Sequence, residues 1–101
     1  MSSATTRTLL TIVTEAALEV ALGEDVERLG AHGYTVADVR GKGSRGYRGV
    51  GWEESRNIRM DIVCDRATAE TIAEHVRSHY YDNYAMVLFM NEVEVLRPQK
   101  F

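Results

Sequence analysis

Two rhythms of hydrophobic spacing divide this chain. Arg7 to Thr14 (R-T-L-L-T-I-V-T) is β-branched and almost continuously apolar, which predicts a strand placed centrally in a sheet. At Thr14 or Glu15 the rhythm changes to that of a helix. Ala17, Leu18, Ala21, Leu22, Val26 and Leu29 recur about every 3.6 residues and define its buried stripe. Gly23 interrupts the stripe and weakens the helix by about 1 kcal/mol relative to Ala. Glu24, Asp25, Glu27 and Arg28 lie off the stripe and read as a solvated face. Gly30 and Gly33 end the helix, one of them at C′.

The alternation then shortens to period two. Tyr34 to Arg40 reads as a second strand, with Tyr34, Val36 and Asp38 on one face. Ile58 to Cys64 reads as a third, with Ile58, Met60, Ile62 and Cys64 on one face and Arg59, Asp61 and Val63 on the other. Asp65 is a good N-cap for a second helix, with Thr68 and Glu70 in its first turn. Ala69, Ile72, Ala73, Val76 and Tyr80 form its stripe, and Tyr81-Asp82-Asn83-Tyr84 breaks it. Ala85 to Leu96 returns to strand, with a bulge expected near Asn91, and Pro98 ends it.

The order βαββαβ is that of an α+β, ferredoxin-like split unit: a four-stranded antiparallel sheet with two helices on one face. The 101 residues fit one domain, with residues 1–6 a disordered terminus and residues 41–57 a flexible loop between strands 2 and 3. Two helices leave the other sheet face open. Its apolar residues should not stay wet, so oligomerisation is expected.

The loop from Gly41 to Asn57 changes the picture. It holds five of the eight glycines, four of the twelve basic residues and the only tryptophan. Glycines let backbone N–H groups close around an anion, and Lys42, Arg45 and Arg48 supply charge, so the loop reads as an anion sensor with a nucleotide as the anion. Gly41, Gly43 and Gly46 match G-x-G-x-x-G, but no helix follows, so the dinucleotide fingerprint is rejected. Tyr47, Arg48, Trp52 and Arg56 have the composition of a partner-binding tip.

Charge and the remaining chemistry narrow the classes. A net charge of −3 and a pI of about 5.6 argue against a general nucleic-acid binder. A ferredoxin-like RNA-binding module using the cationic loop is the alternative, weakened because strands 1 and 3 lack exposed aromatics for stacking bases. Cys64, the only cysteine, falls in an apolar strand and reads as a reduced core residue. His75 and His79 share a helix face, but with His32 remote no third ligand is evident, and no metal is expected. Glu53 and Glu54 sit in the loop, a poor setting for acid–base work, so no enzyme is expected. Neither a secretory signal nor a membrane-length apolar run is visible, and the expected location is cytoplasmic.

Gly33-Tyr34-Thr35-Val36 leading into Gly41-Lys42-Gly43-Ser44-Arg45, with Tyr81 to Phe89 and Glu92-Val93-Glu94-Val95-Leu96, resembles the PII signal-transduction superfamily. Within it the chain is most similar to the PII-like branch associated with bicarbonate transport and carboxysomes. The resemblance implies a homotrimer with adenine nucleotides in clefts between subunits, and a long loop reporting nucleotide state to a protein target. That target would be a bicarbonate transporter or a carboxysome-related protein. By position, Gly33, Tyr34 and Thr35 would line the adenine and ribose side, and Gly41, Lys42, Gly43, Ser44 and Arg45 would hold the phosphates. Val63 and Ala85, Met86 and Val87 would complete the pocket, and Arg97 would reach the phosphate from a neighbouring strand. The segment Tyr81 to Ala85 lacks the glycines and lysine of PII proteins that bind a triphosphate. AMP and ADP are therefore the expected ligands, ahead of ATP and cyclic AMP. The forked guanidinium of Arg45 suits a second small anion, and bicarbonate is expected at Gly43, Ser44 and Arg45.

Overall fold

The structure is a computed structural model that describes residues 5–41 and 56–97. Strand β1 (Thr5–Glu15) runs into a single 3-10 turn (Ala16–Leu18) and helix α1 (Glu19–Arg28). Strands β2 (Thr35–Val39) and β3 (Asn57–Cys64), helix α2 (Arg66–Tyr80) and strand β4 (Met86–Val95) follow. The sheet order is β2-β3-β1-β4 and every pairing is antiparallel, so β1 is central as its apolar run implied.

Alternation assigns the two faces. Leu10 and Ile12 of β1 and Met60, Ile62 and Cys64 of β3 face Leu22 and Val26 of α1 and Ala69, Ile72 and Val76 of α2. Most of these side chains are fully buried, and each contributes about 1.5–3 kcal/mol relative to exposure. Met86, Leu88 and Met90 of β4 and Val36 of β2 pack against the same core from the sheet's two edges.

Several local expectations change. Thr5 and Thr6 belong to β1 rather than to a disordered terminus, Asn57 belongs to β3 rather than to the loop, and Glu70 lies past the first turn of α2. Helix α1 starts later than Thr14 or Glu15, because both residues stay extended and tie down neighbouring strands, as described below; Ala17 is consequently exposed in the 3-10 turn. Strand β2 is shorter than Tyr34 to Arg40. The bulge near Asn91 is absent: β1 and β4 keep one unbroken register from Thr5↔Val95 to Thr14↔Met86, with Asn91 directly opposite Leu9. Asp25 is not part of a solvated face; it sits between the helices.

The caps follow the sequence. Gly30, at φ 118°, is the C′ residue of α1, and Ala31 N–H bonds back to Val26 at 2.9 Å while Gly30 N–H bonds to Glu27 at 3.2 Å. That is a Schellman end, and the positive φ is why a glycine stands there. The Asp65 carboxylate accepts the Thr68 N–H at 2.7 Å at the start of α2.

Candidate functional site

Residues Thr14, Glu15 and Ala16 form a junction at one end of the sheet. The Thr14 hydroxyl donates to the Ala85 carbonyl at 2.7 Å, and the Glu15 carboxylate accepts the Ala85 N–H at 2.9 Å. Ala16 N–H donates to the Arg56 carbonyl at 2.8 Å. Glu15 stands opposite Asn57 on β3, and Asn57 opposite Val39 on β2, two residues before Gly41. One row of the sheet thus fixes the start of β4 and both roots of the 41–57 segment. Arg56 also reaches Asp38 at 3.1 Å, but both side chains are mostly exposed, so the pair adds little stability.

The residues expected to bind nucleotide do not all lie in one place. Gly41, Ala85, Met86 and Val87 lie at the end just described, with Arg56 beside them. Met86 turns its side chain into the core and offers a ligand only backbone, whereas Val87 is exposed. The others are strung along the sheet: Thr35 stands opposite Asp61 in the Thr11 row, Val63 opposite Leu9, Arg97 lies two residues beyond Val95, which pairs with Thr5, and Gly33 and Tyr34 precede β2. Val63 faces Leu9 while Val87 faces Val13, four residues along β1 and so about 13 Å away. Within one chain these candidate residues stay apart. Lys42, Gly43, Ser44, Arg45, Tyr47, Arg48 and Trp52 lie outside the described residues.

The open face of the sheet has a polar centre and an apolar surround. Thr11, fully buried, donates to Asp61 Oδ1 at 2.7 Å, and Arg59 Nε donates to Asp61 at 3.1 Å. The Arg59 guanidinium lies 6.0 Å from the Phe89 ring centroid. Leu9, Val13, Val63, Val87 and Val93 occupy the same face by alternation, with Val87 and Phe89 among the exposed large apolar residues. Neither β1 nor β3 contributes an aromatic residue to this face; Phe89 of β4 does.

A second polar cluster, between the helices, was not anticipated. Asp25 Oδ2 accepts the Tyr80 hydroxyl at 2.6 Å and His75 Nε2–H at 3.1 Å, and its Oδ1 accepts from Arg28 at 3.0 Å. Burial pushes the Asp25 carboxyl up, but the bonds from Tyr80, Arg28 and His75 and the charge on His75 together hold it below the ordinary range. The bond to Asp25, with burial, pushes the Tyr80 phenol up to about 12. His79 stacks on His75 with ring centroids 4.0 Å apart, and its Nδ1–H donates to the His75 carbonyl at 2.9 Å. Among the described residues no group of His, Cys, Asp and Glu is arranged to hold a metal ion. Burial, with the charge of Asp65 behind it, pushes the Cys64 thiol up to about 11, so it is inert as a nucleophile. No helix of the described residues is long and apolar enough to cross a membrane.

Comparison with known proteins bears on all of this. The family described as nitrogen regulatory protein P-II matches residues 7–100. A solved PII-like signaling protein of Thermus thermophilus is 40% identical, covers 100% of this chain and 99% of its own, and superposes with a TM-score of 0.83. CPII of Thiomonas intermedia, solved bound to ADP and bicarbonate, is 25% identical over 97% of this chain and 96% of its own, with a TM-score of 0.82. GlnK of B. subtilis shares the fold at 15% identity, with a TM-score of 0.65 over 88% of this chain and 86% of its own.

Proposed function

Because this chain belongs to the nitrogen regulatory protein P-II family, we propose that it is a non-enzymatic regulator that senses AMP and ADP, binds bicarbonate as a second ligand, and adjusts inorganic-carbon uptake or fixation through the 41–57 segment. The observation that carries this reading is the ADP and bicarbonate bound by the Thiomonas relative, whose likeness spans nearly the whole of this chain. Physical features of the chain agree with it. The candidate pocket residues are spread along one sheet, and a homotrimer burying the open faces would join one subunit's Gly41 and Ala85–Val87 to a neighbour's candidate residues. In that arrangement Gly33, Tyr34 and Thr35 serve the base and ribose, and Gly41 to Arg45 the phosphates. Bicarbonate takes Gly43, Ser44 and Arg45. Tyr47, Arg48, Trp52 and Arg56 meet a protein target in the cytoplasm, a bicarbonate transporter or a carboxysome-related protein.

Titration calorimetry with AMP, ADP, ATP and cyclic AMP, each with and without bicarbonate, tests the ligand reading. AMP and ADP should bind at least as well as ATP, with bicarbonate strengthening the complex. Binding of ATP alone, or of no adenine nucleotide, overturns it.

A further inference from the structure

Arg59 and Asp61 lie at the middle of the open sheet face and leave part of their hydrogen-bonding capacity unused. The row through Asp61 crosses all four strands as Thr35, Asp61, Thr11 and Phe89, and Arg59 stands in the next row, opposite Val13. Arg59 reaches Asp61 through Nε alone, and its two terminal nitrogens make no hydrogen bond among the described residues. Asp61 accepts from Thr11 and from Arg59, whereas a carboxylate offers about four acceptor sites. The two side chains are 42% and 30% exposed, so both can still meet a partner. Leu9, Val13, Val63 and Val87 surround them with apolar surface. A purely apolar partner on this face would shut the terminal nitrogens of Arg59 away from water without an acceptor, which is costly. A second copy of the same face supplies a carboxylate for the guanidinium and a guanidinium for the carboxylate. The face is complementary in charge to itself.

We propose that Arg59 and Asp61 pair between copies of this chain: the terminal nitrogens of Arg59 donate to Asp61 of the partner subunit, so the open face selects a second copy of itself. This rests on the homotrimer proposed above and adds to it the contact that sets which chains join. In a closed ring each subunit offers Arg59 to the copy ahead and Asp61 to the copy behind, so the charges alternate and none is left over. The apolar surround excludes water and strengthens each pair. Desolvating the two charges offsets much of that attraction, so the pair governs the choice of partner more than the strength of assembly.

The double variant Arg59→Asp/Asp61→Arg exchanges the two charges and keeps a pair of opposite charges within each chain. It should assemble with itself as wild type does, but wherever it meets wild type, like charges face each other. Wild type and the double variant have the same composition, so one is labelled with a heavy isotope. The two are refolded together and their assemblies are counted by native mass spectrometry. Mixed assemblies should fall roughly tenfold below the share that random mixing gives. A random share overturns the proposal, because a pair confined to one chain is indifferent to its neighbours. A second measurement does not depend on the double variant. Arg59→Cys and Asp61→Cys, mixed and treated with a short thiol cross-linker, should give more covalent dimer than either variant alone; Cys64 is buried and does not compete. Equal yields in all three samples count against the pairing. Wild type that stays monomeric at micromolar concentration refutes the assembly reading itself, a result distinct from free mixing, and the pairing falls with it.

Discussion

The Tyr34 ring covers Gly23. A Cβ built on Gly23 would stand 2.8 Å from Tyr34 Cζ and closer still to the hydroxyl, so the glycine in mid-helix leaves room for the hydroxyl end of the phenol. Gly23 is buried in consequence, and the helix-propensity loss is offset by packing. Gly23→Ala should destabilise wild type by about 1–3 kcal/mol by driving the ring off the helix. In a Tyr34→Ala background the same change should stabilise by up to ~1 kcal/mol. Urea unfolding of the four proteins of this cycle checks the reversal of sign; a Gly23→Ala change that stabilises both backgrounds refutes the contact.

Asp25 should give the fold a pH dependence. Its folded pKa lies below the ordinary value of 3.8, so its contribution is present above that value and is lost as pH falls through the lowered one. Tyr80 has the opposite sense. Raised from 10.0 to about 12, it contributes fully below pH 10, and that contribution disappears as pH rises toward 12. Asp25→Asn should cost about 1–3 kcal/mol at neutral pH, since it weakens three hydrogen bonds to one carboxylate. Thermal melts from pH 2 to pH 8 should show the gap between wild type and variant closing only at the acid end. A gap that is constant over the whole range contradicts the assignment.

Assembly is testable through Phe89. Glu at this position would place a second carboxylate near Asp61 on the open face and add charge to the surface proposed to lie between subunits. Wild type should scatter light as a trimer at micromolar concentration, and Phe89→Glu should lower the mass. A wild-type monomer would leave the scattered candidate ligand residues with nothing to join them.

For the phosphates, Arg45→Ala should weaken AMP and ADP binding by roughly ten- to a hundredfold, the range for losing a charge-assisted hydrogen bond of about 1.5–3 kcal/mol. Calorimetry with the two nucleotides is sufficient. Affinity equal to that of wild type would remove Arg45 from the site.

Much of the fold could be read from spacing alone. The period-two runs at Ile58–Cys64 and the 3.6-residue stripe through Ile72 and Val76 mark their buried faces because burial on one side selects apolar residues at that period. Asp65 and Gly30 were legible as caps because few residue types suit those backbone positions. Asp25 was not legible. Its partners His75 and Tyr80 lie 50 and 55 residues on, and nothing local distinguishes a carboxylate between helices from one in water. Glu15 was missed for the same reason, since its partner Ala85 is 70 residues away and contributes only a peptide N–H. The unbroken register at Asn91 was hidden too: a polar residue in an apolar run suggests a bulge, yet Asn91 falls on the open face, where alternation places it without any insertion. The candidate ligand residues come from the family motif, whereas their spread along the sheet follows from strand register.

Strand β1 finds a ten-residue partner in β4, with Thr5 joined to Val95. During synthesis the ribosome releases β1 long before β4 exists, so the hydrophobic strand at the middle of the sheet must wait with one edge unpaired. Contacts this distant in sequence close late and slow folding. Quality control in the cell would therefore have a long interval in which to act: a chain lacking β4 would leave that edge of β1 unpaired, and such a product should be captured by chaperones or proteases instead of persisting.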